Sequence, residues 1–491
     1  MEEFPEVMKE TTEPETKTFS RSEYVLSVIV ALLSFGFVRF VMFNETGFIT
    51  TGLYTAIITS VIIFLKSKKF RISGFNRIMA VILYIFSIVF SITDNNFIKI
   101  LDVIFLFIAG AYFIYSVTAE KNRIERFLPF AVSKSLFEYP FSKFGEQSKV
   151  LKSAIKSSGF GKNLALVFAG LLITVPVTAI VATLLMSADS RFSDMLTGFA
   201  DKFAYGNMGL LIAQIFIAIP CSHYLFGMIY SNANRENLNV LDDEYCKTRI
   251  SDMRFMNNLI IYTALTPLCI LYILFFISQA GYFLSGFSGN LPEGYSYAVY
   301  ARKGFFELCA VSLINLGVIS VTGIIAKNGG KSKPVTLKIY SIMLCIFTLF
   351  LIATALSKMV MYIDEYGLTQ LRVYTTWFMI LCAIIFVLII IKEINFDFRI
   401  EKWVTVFFTV MFAILCFSRP DALIAKYNIE MYNSGKLENP DYNSITEMSD
   451  DAVLEYVKSC PDSYDDKNFK YRKNNNISSF LLNKAISDYS D

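Results

Sequence analysis

Long apolar runs alternate with short polar segments along this chain, and the apolar residues come in blocks rather than at helical-face spacing. A helix needs about 20 apolar residues to cross the hydrocarbon core of a bilayer. Blocks of this length predict membrane-spanning helices and therefore an all-α, polytopic membrane fold. Eleven spans are expected, at 24–43, 47–65, 78–92, 98–117, 163–186, 208–230, 258–279, 305–326, 340–361, 373–391 and 403–418.

Composition agrees with this interpretation. Hydrophobic residues make up 54% of the 491 residues and charged residues 18%, against roughly 45–50% and about 25% in soluble domains. The net charge is +3, and the basic residues form short clusters between the apolar blocks. This distribution does not favour nucleic acid as a partner. The lipid bilayer is the expected environment.

The basic clusters predict the orientation of the chain. With a cytosolic N-terminus, the cytosolic segments hold 28 Lys and Arg and the opposite loops hold 6. Loops rich in Lys and Arg stay in the cytosol. An odd number of spans then places the C-terminus outside. The first residues carry six Glu before Phe19 and no basic region, so they do not resemble a removable signal peptide.

Five segments are expected from this pattern. They are an acidic, disordered cytosolic N-terminus (1–22), a four-helix membrane part (23–118), a basic cytosolic loop (119–162), a seven-helix membrane core (163–418) and a polar helical tail outside (419–491).

The two polar segments are expected to contain helices. Phe137 and Phe141 lie among lysines in the loop 119–162, which is typical either of an amphipathic segment on anionic lipid headgroups or of a solvated basic connector. In the tail, "DALIAKYNIEMYN" and "SDDAVLEYVKS" predict helices, the second with Ser449 as its N-cap.

Metal and cofactor chemistry is not expected. The eight cysteines have no CxxC or paired spacing, so neither disulfides nor a zinc site are predicted. His223 is the only histidine, which excludes sites that need two imidazoles. No phosphate-binding glycine-rich motif occurs, and no cofactor is predicted.

One polar cluster is predicted at the start of the eighth span and in the loop between the ninth and tenth spans. If the eighth span starts near residue 304, Glu307 is buried at its outer end and Asn315 faces protein near the midplane, because unpaired polar groups in lipid are costly. The cluster is expected to act either as a polar clasp between helices or as an ion or substrate gate. Its members are Arg302, Lys303, Glu307, Asn315, Asp364, Glu365 and Arg372.

Prolines near the middle of three spans suggest a second candidate site. Proline frees backbone carbonyls within a helix, so each position is either a simple kink or a break of the kind that forms binding sites in transporters. His223 is there either a satisfied core residue or a proton carrier. The candidates at this depth are Pro176, Gln214, Pro220, His223, Thr263, Thr266 and Pro267.

Two sequence stretches resemble the signatures of a known family. They are "YAVYARKGFFELCAVSLINL" (297–316) and "YGLTQLRVYTTWFM" (366–379), which contain YARKGFFEL and YGLTQLRVY. The family consists of polytopic membrane proteins, typically bacterial, and is catalogued only as a domain of unknown function. The resemblance covers most of the chain after about residue 75. It implies a bacterial membrane protein and assigns no catalytic residue.

The expected function is that of a non-enzymatic component of the bacterial cell membrane, either transporter-like or a sensing or scaffold protein. Its ligand would be a small solute or a lipid. The alternative is a membrane-embedded enzyme that acts on a lipid or envelope precursor, with Glu307 or His223 as general acid or base.

Overall fold

The computed structural model describes residues 19–154, 174, 178, 181–204, 208–234, 243–288, 305–327, 333–437, 442–459 and 473–490. Within these ranges the chain forms α-helices, short turns and two π-helical segments. The only β pairing in the same ranges is an isolated bridge between Met256 and Ala326. The predicted all-α fold is confirmed.

The helices follow one another in this order. The first ten are α1 (Arg21–Phe37), α2 (Phe48–Ser67), α3 (Gly74–Ser87), α4 (Val89–Ile92), α5 (Asn96–Thr118), α6 (Leu128–Ser133), α7 (Tyr139–Ser142), α8 (Glu146–Ala154), α9 (Ser190–Ala204) and α10 (Met208–Ala233). The others are α11 (Asp243–Asp252), α12 (Asn258–Ser288), α13 (Phe305–Ile325), α14 (Val335–Tyr366), α15 (Gln370–Ile394), α16 (Ile400–Phe417), α17 (Pro420–Asn433), α18 (Tyr442–Glu447), α19 (Asp450–Ser459) and α20 (Ile477–Ser490). The π segments are Val38–Met42 and Lys134–Glu138.

Ten helical stretches in the described residues are long and apolar enough to cross a bilayer, and each corresponds to one predicted span. The third, Gly74–Ile92, consists of α3 and α4. The predicted span at 163–186 lies mainly outside the described residues. The chain is therefore a multi-pass membrane protein.

The membrane helices form two groups, each with its own hydrophobic core. The first group consists of α1 to α5, α10 and α16. Its core includes Phe86, whose ring stacks on that of Phe412 with centroids 5.5 Å apart. The last membrane helix thus packs against the first ones, although the second group separates them in sequence.

The second group consists of α12 to α15, and its core includes Leu265, Leu344 and Phe386. Trp377 on α15 donates a hydrogen bond from Nε1 to the carbonyl of Met411 on α16, at 2.8 Å. This bond joins the two groups. The helices of the predicted segment 163–418 are thus divided between the two groups. α10 and α16 pack with the first group, and α12 to α15 form the second.

The tail contacts one end of the bundle, which we call the tail end. The turns at 43–47, 93–95 and 367–369 meet the tail there. The other end, which we call the opposite end, holds polar contacts between different turns. These are Lys68 with Glu23, Lys333 with Glu393, and Arg399 with the carbonyl of Ile124. The turns that meet at the opposite end are thus those that the charge pattern assigns to one side of the membrane, and the turns that meet the tail are those assigned to the other side.

The basic loop is partly packed into the bundle. Gln147 on α8 donates from Nε2 to the carbonyl of Ser27 at 3.0 Å and to Oγ of Ser222 at 2.7 Å. Phe137 and Phe141 remain exposed, with 68% and 59% of their surface accessible. In the described part of this loop, two phenylalanines are thus exposed while the polar Gln147 is buried against α1 and α10.

The tail has a small hydrophobic core of its own. Ile429 on α17, Val453 and Val457 on α19 and Leu482 on α20 are buried together. The two predicted tail helices correspond to α17 and α19. The tail therefore folds against itself as well as against the bundle.

Candidate functional site

The strongest concentration of buried polar side chains in the described residues lies where the tail meets the bundle. We call it the tail junction and define it by Thr93, Asp94, Asn95, Asp421 and Asp451. The first three form the turn between α4 and α5, and the two aspartates lie in the first turns of α17 and α19. Carboxylates are favoured at those positions by the helix dipole.

Asp451 is the most heavily bonded member of the tail junction. Its Oδ2 accepts from Thr93 Oγ1 at 2.5 Å and from the amide nitrogen of Asp94 at 3.0 Å. Its Oδ1 accepts from Arg419 Nε at 2.7 Å and from the hydroxyl of Ser478. The side chain is fully buried. Its charge is therefore balanced by the Arg419 guanidinium and by hydrogen bonds that include those from Thr93, Asp94 and Ser478, as a buried carboxylate requires.

Asp421 ties α17 to both helix groups. Its Oδ2 accepts from Asn95 Nδ2 at 2.8 Å and from Ser449 Oγ at 2.5 Å, and its Oδ1 accepts from Gln370 Nε2 at 2.9 Å. Burial raises the pKa of Asp421 above its ordinary value, although these hydrogen bonds favour the carboxylate. Ser449, the predicted N-cap of α19, thus donates its hydroxyl to a different helix.

A second contact connects the tail to the turn between α14 and α15. Asn428 Oδ1 accepts from the amide nitrogen of Leu368 at 2.7 Å, and Asn428 Nδ2 donates to the Leu368 carbonyl at 2.9 Å. Gly367 precedes that residue with φ of 72°, and a Cβ there would lie 2.6 Å from Asn428 Oδ1. Glycine is therefore required both by the backbone conformation and by the close approach.

The predicted polar cluster is only partly assembled. Arg302 and Lys303 lie outside the described residues. Glu307 is exposed, so the expectation that it is buried is wrong, and Lys358 acts on it electrostatically. Phe305 and Leu308 beside it are buried, so Glu307 lies on an exposed face of α13.

Arg372 is engaged within its own turn rather than with Glu307. Its guanidinium lies over the ring of Tyr362, 4.0 Å from the centroid, and donates to the carbonyl of Tyr366 at 2.9 Å. Asp364 and Glu365 are exposed. These contacts place the three charged side chains beside the Asn428 contact without joining them to a buried cluster.

Asn315 faces protein, as its polarity led us to expect. It is fully buried and accepts a hydrogen bond from the Tyr272 hydroxyl at 2.6 Å. Its Nδ2 donates to Thr348 Oγ1 at 2.9 Å. The amide therefore connects α12, α13 and α14, which is the usual role of polar side chains between membrane helices.

The second predicted site divides between the two helix groups. Pro220 lies within α10 and Pro267 within α12, and each helix continues through its proline. α10 contributes to the first core and α12 to the second. Pro176 lies outside the described residues. The described helices thus do not show the broken geometry that a transporter site would use.

The remaining members of that site have local or partial contacts. His223 Nε2 lies 2.8 Å from Ser148 Oγ and its Nδ1 lies 2.9 Å from the carbonyl of Ile219. Thr263 and Thr266 donate to carbonyls one turn earlier on α12, and Thr266 Oγ1 also lies 2.6 Å from the Tyr340 hydroxyl on α14. Gln214 is buried, and its Oε1 has no hydrogen-bond partner in the described residues. These contacts favour a structural role for His223.

Asp102 is a buried carboxyl group that the sequence analysis did not select. It lies on α5 within the membrane-spanning stretch and is fully buried. Neither of its oxygens has a hydrogen-bond partner in the described residues. An ionisable group in this position is costly and typically functional.

A comparison with known proteins gives the family. The profile described as "Domain of unknown function (DUF4153)" matches residues 78–459, which is more than half of the chain. The chain belongs to the DUF4153 family. No curated protein and no solved structure matches it.

The DUF4153 match confirms the resemblance seen in the sequence and covers most of the tail junction. It begins within α3 and ends at the last residue of α19. Thr93, Asp421 and Asp451 are therefore inside the family region, whereas Ser478 is outside it. This site was not predicted, because the tail was expected to be a separate polar appendage. The available signals were the polar "TDNN" turn and the paired aspartates at the start of α19.

Proposed function

We propose that this protein is a non-enzymatic sensing or scaffold component of the bacterial cell membrane, with its tail on the outer face. The observation that carries the proposal is that the tail is bonded to both helix groups. Asp451 accepts hydrogen bonds from the 93–95 turn of the first group. Asn428 bonds to Leu368 in the second group. A displacement of one group against the other therefore strains the tail.

The outer placement of the tail rests on charge. Basic residues concentrate at the opposite end, in the turns that the positive-inside rule assigns to the cytosol. The aspartates of the tail junction support a structural rather than a catalytic role, because Asp451 is saturated with donors. A saturated carboxylate has no free lone pair with which to accept a proton from a substrate.

A transporter-like role is the second candidate. Asp102 favours it, because a buried membrane carboxyl without a hydrogen-bond partner in the described residues is typical of ion and proton pathways. Asp102 acts electrostatically on Tyr54 and Cys416, so three polar side chains from α2, α5 and α16 meet inside the first group. The membrane-embedded enzyme is the remaining alternative.

Solute and lipid profiling of a deletion strain tests these candidates. The strain is complemented with the wild type, with Asn428→Ala, or with Asn443→Ala as an exposed tail control. If the tail acts through its bond to the second group, Asn428→Ala reaches the membrane in normal amounts but fails to restore the wild-type profile. Asn443→Ala restores it.

Other outcomes contradict the proposal. If Asn428→Ala and Asn443→Ala restore the wild-type profile equally, the bond between Asn428 and Leu368 has no role in the function. Accumulation of one solute in the deletion strain, corrected by the wild type but not by Asp102→Asn, indicates the transporter-like function. Accumulation of a lipid or envelope precursor indicates the enzyme.

A further inference from the structure

Two cavities in the first helix group adjoin each other. The deeper one, which we call the chain cavity, has a volume of about 210 Å³ and lies between α1, α2, α3, α5 and α10. The second, which we call the mouth, has a volume of about 910 Å³ and lies at the tail end between α1 and α5. Phe37 and Val103 line both cavities. The two cavities therefore adjoin at these side chains.

The walls of the chain cavity are almost entirely apolar. Leu106, Ile114 and Met228 are typical of them, and Ser34 and Cys221 are among the few polar atoms. An apolar cavity of this kind does not hold water well, because water needs polar partners. The chemistry of the walls therefore selects a hydrocarbon occupant.

The depth of the chain cavity matches an acyl chain. Its wall on α5 extends from Val103 to Ile114, which corresponds to about 16 Å at the rise of an α-helix. Half of the hydrocarbon core of a bilayer is about 15 Å thick. A lipid of the leaflet at the tail end thus has a chain of the right length to reach the inner end of the cavity.

The mouth offers polar groups at headgroup depth. Lys99 and Lys473 supply two ammonium groups, and Glu45 is the single carboxylate among the residues that line it. Lys99 Nζ donates to Asp94 Oδ1 at 3.2 Å and to the carbonyl of Thr46 at 2.8 Å. Lysine ammonium groups are common partners of phosphate oxygens. The mouth is therefore complementary to a phosphate-bearing headgroup.

The first π segment gives independent support. Val38–Met42 continues α1 with π geometry, and Val41 and Met42 line the mouth. Single-turn π segments in α-helices are frequent at functional sites. The irregular turn of α1 thus coincides with the entrance.

We propose that the mouth and the adjoining chain cavity together bind a membrane phospholipid, with the phosphate at Lys473 and Lys99 and one acyl chain between α5 and α10. The site deepens the proposed function and rests on it for the claim that the bound lipid is sensed. The connection is Lys99, which bonds to Asp94 of the tail junction. A headgroup bound at Lys99 thus either weakens or strengthens the Lys99–Asp94 contact, and Asp94 belongs to the turn that holds the tail.

Photolabelling of the full chain in nanodiscs tests the site. The probe is phosphatidylglycerol with a diazirine at the end of one acyl chain, and the comparison probe is diacylglycerol with the same chains. We expect labels near Ile114 and Met228, with about tenfold more from the phospholipid, equivalent to about 1.4 kcal/mol. Absence of labels there, or equal labelling by the two probes, overturns the proposal.

Matched variants distinguish binding in the chain cavity from simple partitioning of the probe lipid into the bilayer around the protein. Gly110 lines the chain cavity, and a Cβ added there meets no atom within 4 Å. Gly110→Leu therefore places its Cβ in open space and its side chain in the cavity, and should lower labelling about tenfold. Gly52 on α2 also has open space and does not line either cavity. Gly52→Leu should label as the wild type does, and equal labelling of both variants contradicts the site.

The headgroup contact has its own control. Lys473→Glu reverses a charge at the mouth and should reduce labelling by the phospholipid about threefold, as expected for an exposed ion pair. Lys484→Glu makes the same change on the exposed side of α20 and should have no effect. A loss of labelling by both variants shows a general charge effect and overturns the role of Lys473.

The labelling result is separate from the proposed function. Labels in the chain cavity together with normal profiles for Asn428→Ala retain the lipid site and refute sensing through the tail. If the chain cavity is unlabelled but Asn428→Ala fails to restore the profile, the lipid site is refuted and the proposed function of the tail is retained.

Discussion

At the residue scale, Asp451 shows how much a single buried carboxylate contributes to the tail end. Asp451→Asn removes the charge that balances Arg419 and replaces one acceptor by a donor that faces other donors. We expect a loss of about 3 kcal/mol in the free energy of unfolding of the tail. Limited proteolysis across a denaturant series measures it. Asp364→Asn, an exposed control, should change the same value by less than about 0.5 kcal/mol.

Gly367 allows backbone strain to be separated from a steric clash. Gly367 and Gly435 both have φ of 72°, but a Cβ at Gly435 meets no atom within 4 Å. Gly435→Ala should therefore lower the free energy of unfolding by only about 1 kcal/mol, which is the strain of alanine in the left-handed conformation. Gly367→Ala should cost about 1–3 kcal/mol more, because it also displaces Asn428 from Leu368. Thermal unfolding of both variants provides the comparison, and equal losses would remove the clash from the explanation.

The raised pKa of Asp421 predicts a pH dependence. The folded protein binds this proton more tightly than the unfolded chain, so the corresponding stability is fully present below the unfolded pKa of about 3.9. It is lost as pH rises through the higher folded pKa. We expect the unfolding free energy of the wild type, relative to Asp421→Asn, to decrease as pH rises above about 4. Denaturant unfolding at several pH values measures this difference, and a constant value would contradict it.

At the element scale, α10 depends on one close approach. A Cβ at Gly227 would lie 2.3 Å from the carbonyl oxygen of Pro140 on α7. Gly227→Ala should therefore separate α10 from α7 and cost about 1–3 kcal/mol. Gly317 on α13 has open space around its Cβ position. Gly317→Ala should instead stabilise its helix by about 0.5–1 kcal/mol. Opposite shifts of the melting temperature in detergent are the expected result.

The membrane helices could be predicted because their signal is local. A block of apolar residues of sufficient length crosses a bilayer whatever it packs against, and each described membrane helix lies at a predicted span. The tail helices were predicted for a similar reason, since polar and apolar positions alternate at helical spacing within α19.

The candidate site could not be predicted from local patterns. Asp451 bonds to Thr93, 358 positions earlier, and His223 bonds to Ser148, 75 positions earlier. Only the packing of the helices decides these pairs. Glu307 was expected to be buried from its position near a span, but the face on which it lies on α13 exposes it.

At the scale of the whole molecule, the contacts group the turns as the charge pattern does. α10 returns to the opposite end, where Ser231 lies 3.0 Å from Ser142. The chain leaves α8 at the opposite end and enters α10 at the tail end, so it must cross once between them. The span that the sequence predicts at 163–186 is the expected crossing.

Cysteine labelling tests which end faces outside. Lys436 lies at the tail end and Asp397 at the opposite end, and both are exposed. After replacement of Cys460, a cysteine at position 436 should react with an impermeant thiol reagent in intact cells. A cysteine at position 397 should react only after permeabilisation. The reverse pattern would invert the orientation predicted from charge.

The order of synthesis gives the tail junction a further consequence. The ribosome delivers the 93–95 turn early, then Asp451, and last Ser478 at the start of α20. Domains form as their residues emerge, but this junction stays incomplete until α20 arrives. A chain that stops before α20 would leave the Asp451 carboxylate short of a donor and expose the part of the hydrophobic face of α19 that Leu482 and Ile486 cover. Proteases that inspect newly inserted membrane proteins could thus distinguish finished chains from interrupted ones at this position.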